Sequence, residues 1–214
     1  MAPLAPIKQL LIDLDGTLVD APAVPLRVDF VIRTMFELRG VRGFIPAAAS
    51  LAAVFLQTKD PPNASQPFTN KRRELWAFAR QMGIPESEAE RVLLAAFRKV
   101  FPKLRRHFFP VKGAREFVNW AAENYPLVLA TNPVWTEDVV KLRVAWAGVD
   151  PAIFRSITHS ERMHACKPEA SYYEEILAQE GFEAKDCLLV GDDRHMDLPA
   201  VKTGIRVFLL SDFD

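Results

Sequence analysis

With 214 residues, half of them apolar and a quarter charged, the chain is long enough to bury roughly 70% of the surface its unfolded form exposes, which excludes general disorder and a long array of domains. Basic and acidic residues balance at 27 each, so the chain lacks the uniform basic excess of a nucleic-acid binder, and its apolar runs fall far short of the ~20 residues a membrane span requires. Cys166 and Cys187 are the only cysteines, which excludes a disulfide framework and leads us to expect a cytoplasmic protein; Met1 to Leu11 has neither the basic cluster nor the small-residue site expected of a cleavable leader.

The first element, Gln9 to Asp15, is a short apolar run closed by a turn at Gly16, the pattern of a strand buried on both faces. Residues 21 to 109 then read as helices without a convincing strand. Pro25 to Arg39 has an amphipathic spacing and stops at Gly40. Pro46 to Gln57 is apolar and alanine-rich, and Asn70 to Met82 stops at Gly83. Pro85 to Val100 opens with proline and acidic residues, as a helix start should. Thr58 to Thr69, with three prolines, is the one clear loop. This stretch holds 15 Lys and Arg against 7 Asp and Glu, a net of +8, so a basic insertion sits in an acidic body. Solvated helix faces are the plain reading of that excess, with attraction of anionic substrates or docking on the body as alternatives. The runs Lys71-Arg72-Arg73 and Arg105-Arg106 have no interleaved aromatics, so a nucleic-acid partner is not expected.

Beyond the insertion, helical and strand patterns alternate: helix Gly113 to Asn124, strand Leu127 to Thr131, helix Trp135 to Trp146 and a weaker strand at Phe154 to Thr158. They continue with helix Pro168 to Gln179, strand Cys187 to Val190, helix Leu198 to Thr203 stopped by Gly204, and strand Ile205 to Leu210. This alternation predicts an α/β fold with a doubly wound, Rossmann-like parallel sheet built from residues 1–20 and 110–214, with an all-helical domain, 21–109, inserted after the first strand.

Ligands of open parallel sheets bind outside the carboxyl ends of the strands, and four such ends here carry polar groups. The first reads Asp13-Leu14-Asp15-Gly16-Thr17, two carboxylates close together but pointing to different sides; a simple Asp-Gly turn is the alternative. The second, Thr131-Asn132-Pro133, offers a hydroxyl and free amides. At Lys167-Pro168, a lysine opens a helix where the dipole disfavours a cation, and alone it reads as a solvated side chain. The last, Gly191-Asp192-Asp193 through Asp197, puts three carboxylates in six residues, a cluster that repels itself unless a cation compensates it. Oxygen donors without a Cys or His cluster suit Mg²⁺ better than zinc.

Taken together and in this order, the four pieces resemble the haloacid dehalogenase superfamily, and the insertion after the first motif looks like the helical cap of that superfamily's first cap class. The resemblance implies a phosphatase acting on a small-molecule phosphate ester. Asp13 would be the nucleophile and Asp15 the acid and base, an aspartate that the dehalogenase and phosphonatase branches lack. Mg²⁺ would be held by Asp13, the Asp15 carbonyl and Asp192. Thr131, Asn132 and Lys167, bordered by Gly16 and Thr17, would bind the phosphoryl group. Either Asp193 or Asp197 would support the metal or the lysine, and Asp193 is preferred because Asp197 has a competing place at a helix start. A phosphomutase using the same residues, or a silent binding protein using its basic insertion, are the alternatives.

Other residues have plainer readings. His195 is expected to be a solvated loop histidine, and Cys166 to be only incidentally reactive despite its lysine neighbour. Trp76, Trp120, Trp135 and Trp146 are read as core, with Trp135 alone close enough to the second motif to wall the site. Arg27, Arg33 and Arg39 are candidates for substrate contact, and Arg27 is nearest to the first motif.

Overall fold

Leu10, Leu11 and Ile12 are all buried, yet they do not face the same way. In the computed structural model, which describes residues 6–43, 45–49, 51 and 67–210, they form β1 (Gln9–Ile12), the central strand of a five-stranded sheet. Leu10 and Ile12 join an apolar cluster with Val118, Val140 and Val144, whereas Leu11 joins a separate one with Tyr172, Tyr173 and Ile176. A strand with apolar residues at every position is stable only when both faces are covered.

In chain order the elements after β1 are β2 (Val19–Asp20), α1 (Ala23–Arg42), α2 (Asn70–Met82), α3 (Glu86–Leu104), β3 (Phe109–Pro110) and α4 (Ala114–Asn124). There follow β4 (Leu127–Leu129), α5 (Glu137–Trp146), β5 (Ser156–Ile157), α6 (Ala170–Glu180), β6 (Cys187–Gly191), a 3-10 segment (Leu198–Thr203) and β7 (Arg206–Leu209). The sheet order is β5-β4-β1-β6-β7 and every pair is parallel, with α4 and α5 packed on one face and α6 and the 3-10 segment on the other. Ile12 lies opposite both Leu129 and Val190. This register brings the residues just after β1, β4 and β6 to one edge of the sheet, and those residues carry the first, second and fourth polar motifs.

Several boundaries differ from the sequence reading. α1 does not stop at Gly40 but runs on to Arg42, because Gly43, with φ +89°, is the residue that leaves the helical region. Its outer side presents Val24, Val28, Ile32 and Phe36 at 48–70% exposure, so the helix carries apolar residues on both sides rather than a clean amphipathic face. α3 continues past Val100 to Leu104, and the segment before Gly204 is 3-10 rather than α-helical. Of the proposed helix 46–57 and loop 58–69, only residues 46–49, 51 and 67–69 are among those described. An antiparallel ribbon with no counterpart in the sequence reading pairs Val19 with Pro110 and Asp20 with Phe109, closing the two ends of the helical insertion on each other. Trp146 is buried as expected, but Trp76 and Trp120 are 38% and 54% exposed. Among the described residues no helix is long and apolar enough to cross a membrane, and both cysteines are free and buried.

Candidate active site

The end of β1 delivers Asp13 to Lys167, whose Nζ donates to Asp13 Oδ1 and to Asp197 Oδ1, both at 2.6 Å. All three side chains are at least nine-tenths buried. Burial pushes the Asp13 pKa up to about 6, aided by the charges of Asp197 and Asp192, while Lys167 works against the rise. Burial also disfavours the Lys167 ammonium, yet Asp13 foremost holds it well above the usual lysine range.

Asp197 reaches the lysine because Gly191 lets it. A Cβ on Gly191 would stand 2.2 Å from Asp197 Oδ2, so any other residue at the end of β6 would expel that carboxylate. The Asp197 side chain makes no capping bond to the 3-10 segment it precedes. Asp193, the residue preferred from sequence, is exposed, and its Oδ1 accepts the amides of His195 (2.7 Å) and Met196 (3.1 Å) to fold the turn. Lysine support thus falls to Asp197, since a structural turn already uses Asp193. His195 is exposed in that turn.

Asp192 lies beside Gly16, which has φ +77° and whose missing Cβ would sit 2.0 Å from Asp192 Oδ2. Buried Thr17 donates its hydroxyl to Asp192 Oδ1 over 3.4 Å. Burial, then the neighbouring Asp197 and Asp193, raises the Asp192 pKa, and Thr17 opposes the shift. Asp13, Asp192 and Asp197 can each present an oxygen within 4.8 Å of one another. Three carboxylates, two of them bonded to one lysine, leave a net negative pocket of hard oxygen donors, a donor set that fits Mg²⁺.

The phosphate-binding candidates are tied to each other. The carbonyl of buried Thr131 accepts from Thr158 Oγ1 (2.7 Å) and Tyr172 Oη (2.8 Å), which fixes the end of β4 from below. Asn132 Oδ1 accepts the amide of Lys167 at 3.2 Å. Asn70, at the start of α2 and 1% exposed, clamps the same two loops, with Nδ2 donating to the carbonyls of Pro133 (3.3 Å) and Ala165 (3.2 Å). From sequence Asn70 was only the start of a helix, and the carbonyls it meets are far away in the chain.

Asp15 points the other way. Its side chain is 56% exposed and pairs with Nη2 of Arg143, a residue of α5 that is itself 4% exposed. The Arg143 guanidinium lies over the Phe108 ring, 5.5 Å from its centre. Burial pushes its pKa down to about 10, with Asp13 opposing. Sequence reasoning missed Arg143 because an arginine in Lys141-Leu142-Arg143 of a helix reads as a solvated charge.

Asp15, Gly16 and Arg143 form one side of a chamber of about 340 Å³ reaching into the insertion. Trp135 does wall it, packed edge-on to Phe30 and Phe101. Of the three arginine candidates only Arg27 lines the chamber; Arg33 is paired to Asp29 at 2.7 Å, and Arg39 donates to the Phe36 carbonyl. Cys166 is no reactive thiol: burial pushes its pKa up to about 12.

Residues 7–204 match the family model described as haloacid dehalogenase-like hydrolase. No curated protein sequence matches the chain. Among solved structures, it is similar to a 2-haloacid dehalogenase from Pseudomonas syringae, at 20% identity and TM-score 0.63, covering 95% of this chain and 86% of that one. It is also similar to a HAD phosphatase from Thermococcus onnurineus, at 16% identity and TM-score 0.60, covering 95% and 86%. A HAD family enzyme from Bacteroides thetaiotaomicron, in complex with magnesium and inorganic phosphate, matches at 18% identity and TM-score 0.55, covering 95% and 93%.

Proposed function

Since the chain belongs to the haloacid dehalogenase-like hydrolase family, we propose that it is a Mg²⁺-dependent phosphohydrolase that removes phosphate from a small phosphate monoester through an aspartyl-phosphate at Asp13. The observation that carries this reading is the division of labour between two aspartates two residues apart. Asp13 is buried against Lys167, whereas Asp15 faces the chamber where a leaving group would lie. A haloacid dehalogenase needs no acid for a halide, whereas an alkoxide does need a proton, and the position of Asp15 on the chamber wall supports that role for it.

In the first step an Asp13 carboxylate oxygen attacks phosphorus, the bond to the ester oxygen breaks, and Asp15 gives its proton to the departing alcohol. In the second step water attacks phosphorus, Asp15 takes the water's proton, and Asp13 leaves as a carboxylate with inorganic phosphate as product. Lys167 balances negative charge on Asp13 and the phosphoryl oxygens in both steps, and Asp197 keeps the ammonium in place. The Thr131 hydroxyl and the Asn132 amide hydrogen-bond the phosphoryl oxygens, and the Asn132 side chain holds the Lys167 backbone beside them. Gly16 and Thr17 shape the wall toward Asp192.

Asp13, Asp192 and the Asp15 carbonyl would hold Mg²⁺, which when bound supplies the charge that offsets repulsion between an anionic nucleophile and an anionic phosphate. A phosphomutase would employ the same groups but return the phosphoryl group to substrate. Phosphate release from a panel of monoesters, with Mg²⁺ or with chelator, tests the reading. We expect metal-dependent release that falls by about 10³-fold or more in Asp13→Asn. Undiminished release by that variant, or none by the folded, Mg²⁺-supplied wild type, would overturn it.

A further inference from the structure

The chamber beside Asp15 differs in character from the phosphate pocket. Its walls are Leu26, Phe30, Phe101, Leu104, Phe108 and Trp135, drawn from α1, α3 and the segments that follow α3 and β4. Phe30, Phe101, Leu104 and Phe108 are each no more than 5% exposed. Trp135 meets Phe30 and Phe101 edge to face and those two rings are tilted to each other, with centroids 4.9–5.7 Å apart, so the three form a fixed wall rather than a loose collection of side chains. The polar lining groups fall into two places. Asp20 and Arg27 are exposed, and Asp15 and Arg143 pair with each other at the catalytic side.

From this arrangement we infer that the leaving group is an apolar, ring-bearing alcohol, so that the substrate is an aryl-substituted alkyl phosphate rather than a sugar phosphate or phosphoglycolate; the inference rests on the phosphohydrolase reading above. A polyol entering the chamber would strip water from several hydroxyls, and among the described lining residues the polar side chains are confined to Asp15, Asp20, Arg27 and Arg143, whose Nε is unbonded, while the aromatic side offers none. A carboxylate would lose its water against the aromatic wall, where the nearest cations are Arg143 beside Asp15 and the exposed Arg27. An aromatic ring meets neither cost. It can pack edge-on against Phe30, Phe101 and Trp135 while its CH₂–O–P arm reaches Asp15. At about 340 Å³ the space holds one ring with room to spare.

The test compares benzyl phosphate with glycerol 3-phosphate and hexose 6-phosphates, all esters of primary alcohols, so that leaving-group reactivity differs little and binding decides. With Mg²⁺ present, kcat/KM for benzyl phosphate is expected to exceed that for the polyol esters about tenfold or more. Leu26→Asn, on the partly exposed side of the chamber, is expected to raise KM for benzyl phosphate about tenfold and that for methyl phosphate by less, because a methyl group leaves the chamber unfilled. Glycerol or hexose phosphate matching benzyl phosphate, while p-nitrophenyl phosphate is still hydrolysed, would overturn this inference and leave the phosphohydrolase reading standing. Release of phosphate from none of these esters, p-nitrophenyl phosphate included, would overturn both.

Discussion

Replacing Asp15 by asparagine keeps the shape of the side chain and removes the proton it would give to a leaving alkoxide. Asp15→Asn is therefore expected to lower kcat/KM for alkyl phosphates about 10²- to 10⁴-fold, and that for p-nitrophenyl phosphate far less, because nitrophenolate leaves without protonation. Equal losses on both esters, measured side by side, would remove Asp15 from the role of leaving-group acid. Arg143 is the only buried cation among the described residues that pairs with Asp15, and it was invisible in the sequence because its burial comes from α5 packing beneath Phe108. Asp197 was hidden for a related reason. Its place at a helix start was legible, but the glycine at 191 that opens a path from Asp197 to Lys167 acts only in three dimensions. By contrast Asp13, Lys167, Thr131 and Asp192 were legible because strand ends place them, and strand ends can be read from short apolar runs.

At the scale of elements, the parallel strands were readable and the connections between body and insertion were not. A two-residue ribbon such as Val19–Asp20 with Phe109–Pro110 is too short to show a period. The first turn of α2 is another such connection. The backbone amides of Asn70 and Lys71 donate to the carbonyls of Met163 and Ser160, and Lys71 pairs with Glu161 at 3.1 Å. The Asn70 side chain adds its two bonds to the Pro133 and Ala165 carbonyls, so one residue of the insertion holds both loops that flank the proposed phosphate pocket. Asn70→Ala leaves two buried carbonyls short of a donor and is expected to cost about 1–3 kcal/mol in denaturant unfolding. It is also expected to raise KM more than it lowers kcat, since it loosens the loops proposed to bind phosphate without touching Asp13 or Asp15. A variant as stable as wild type with unchanged KM would show that this clamp does not matter.

At the scale of the molecule, the zero net charge conceals a basic insertion whose cations are mostly engaged nearby. Asp29 takes Arg33 and Arg106, Glu37 takes Lys99, Glu86 takes Arg72, and Lys71 joins Glu90 to Glu161 of the body. Such partly exposed pairs contribute little individually, so the apolar cluster continuous between sheet and insertion carries most of the joint. Within that joint Glu74 stands out, because burial pushes its pKa up to about 8 with only Arg73 opposing. Unfolding returns it to the ordinary value near 4.5, so the folded chain holds a proton the unfolded chain releases. The stability this gives is fully present below about pH 4.5 and drains away as pH rises toward 8. Glu74→Gln is expected to match wild type in unfolding free energy near pH 4.5 and to exceed it by about 1–2 kcal/mol at pH 8, a fraction of the full shift because the side chain is only partly enclosed. Parallel stability curves for the two proteins across this range would contradict that assignment.

The central claim is that Asp13 carries the phosphoryl group between substrate and water. Rapid acid quench of the Mg²⁺-supplied protein during turnover of a ³²P-labelled monoester, followed by peptide mapping, tests it most directly. The account predicts acid-stable, hydroxylamine-labile label on the peptide containing Asp13, absent from Asp13→Asn. Steady release of labelled phosphate with no label on the protein at any time, or with Asp13→Asn fully active, would contradict it.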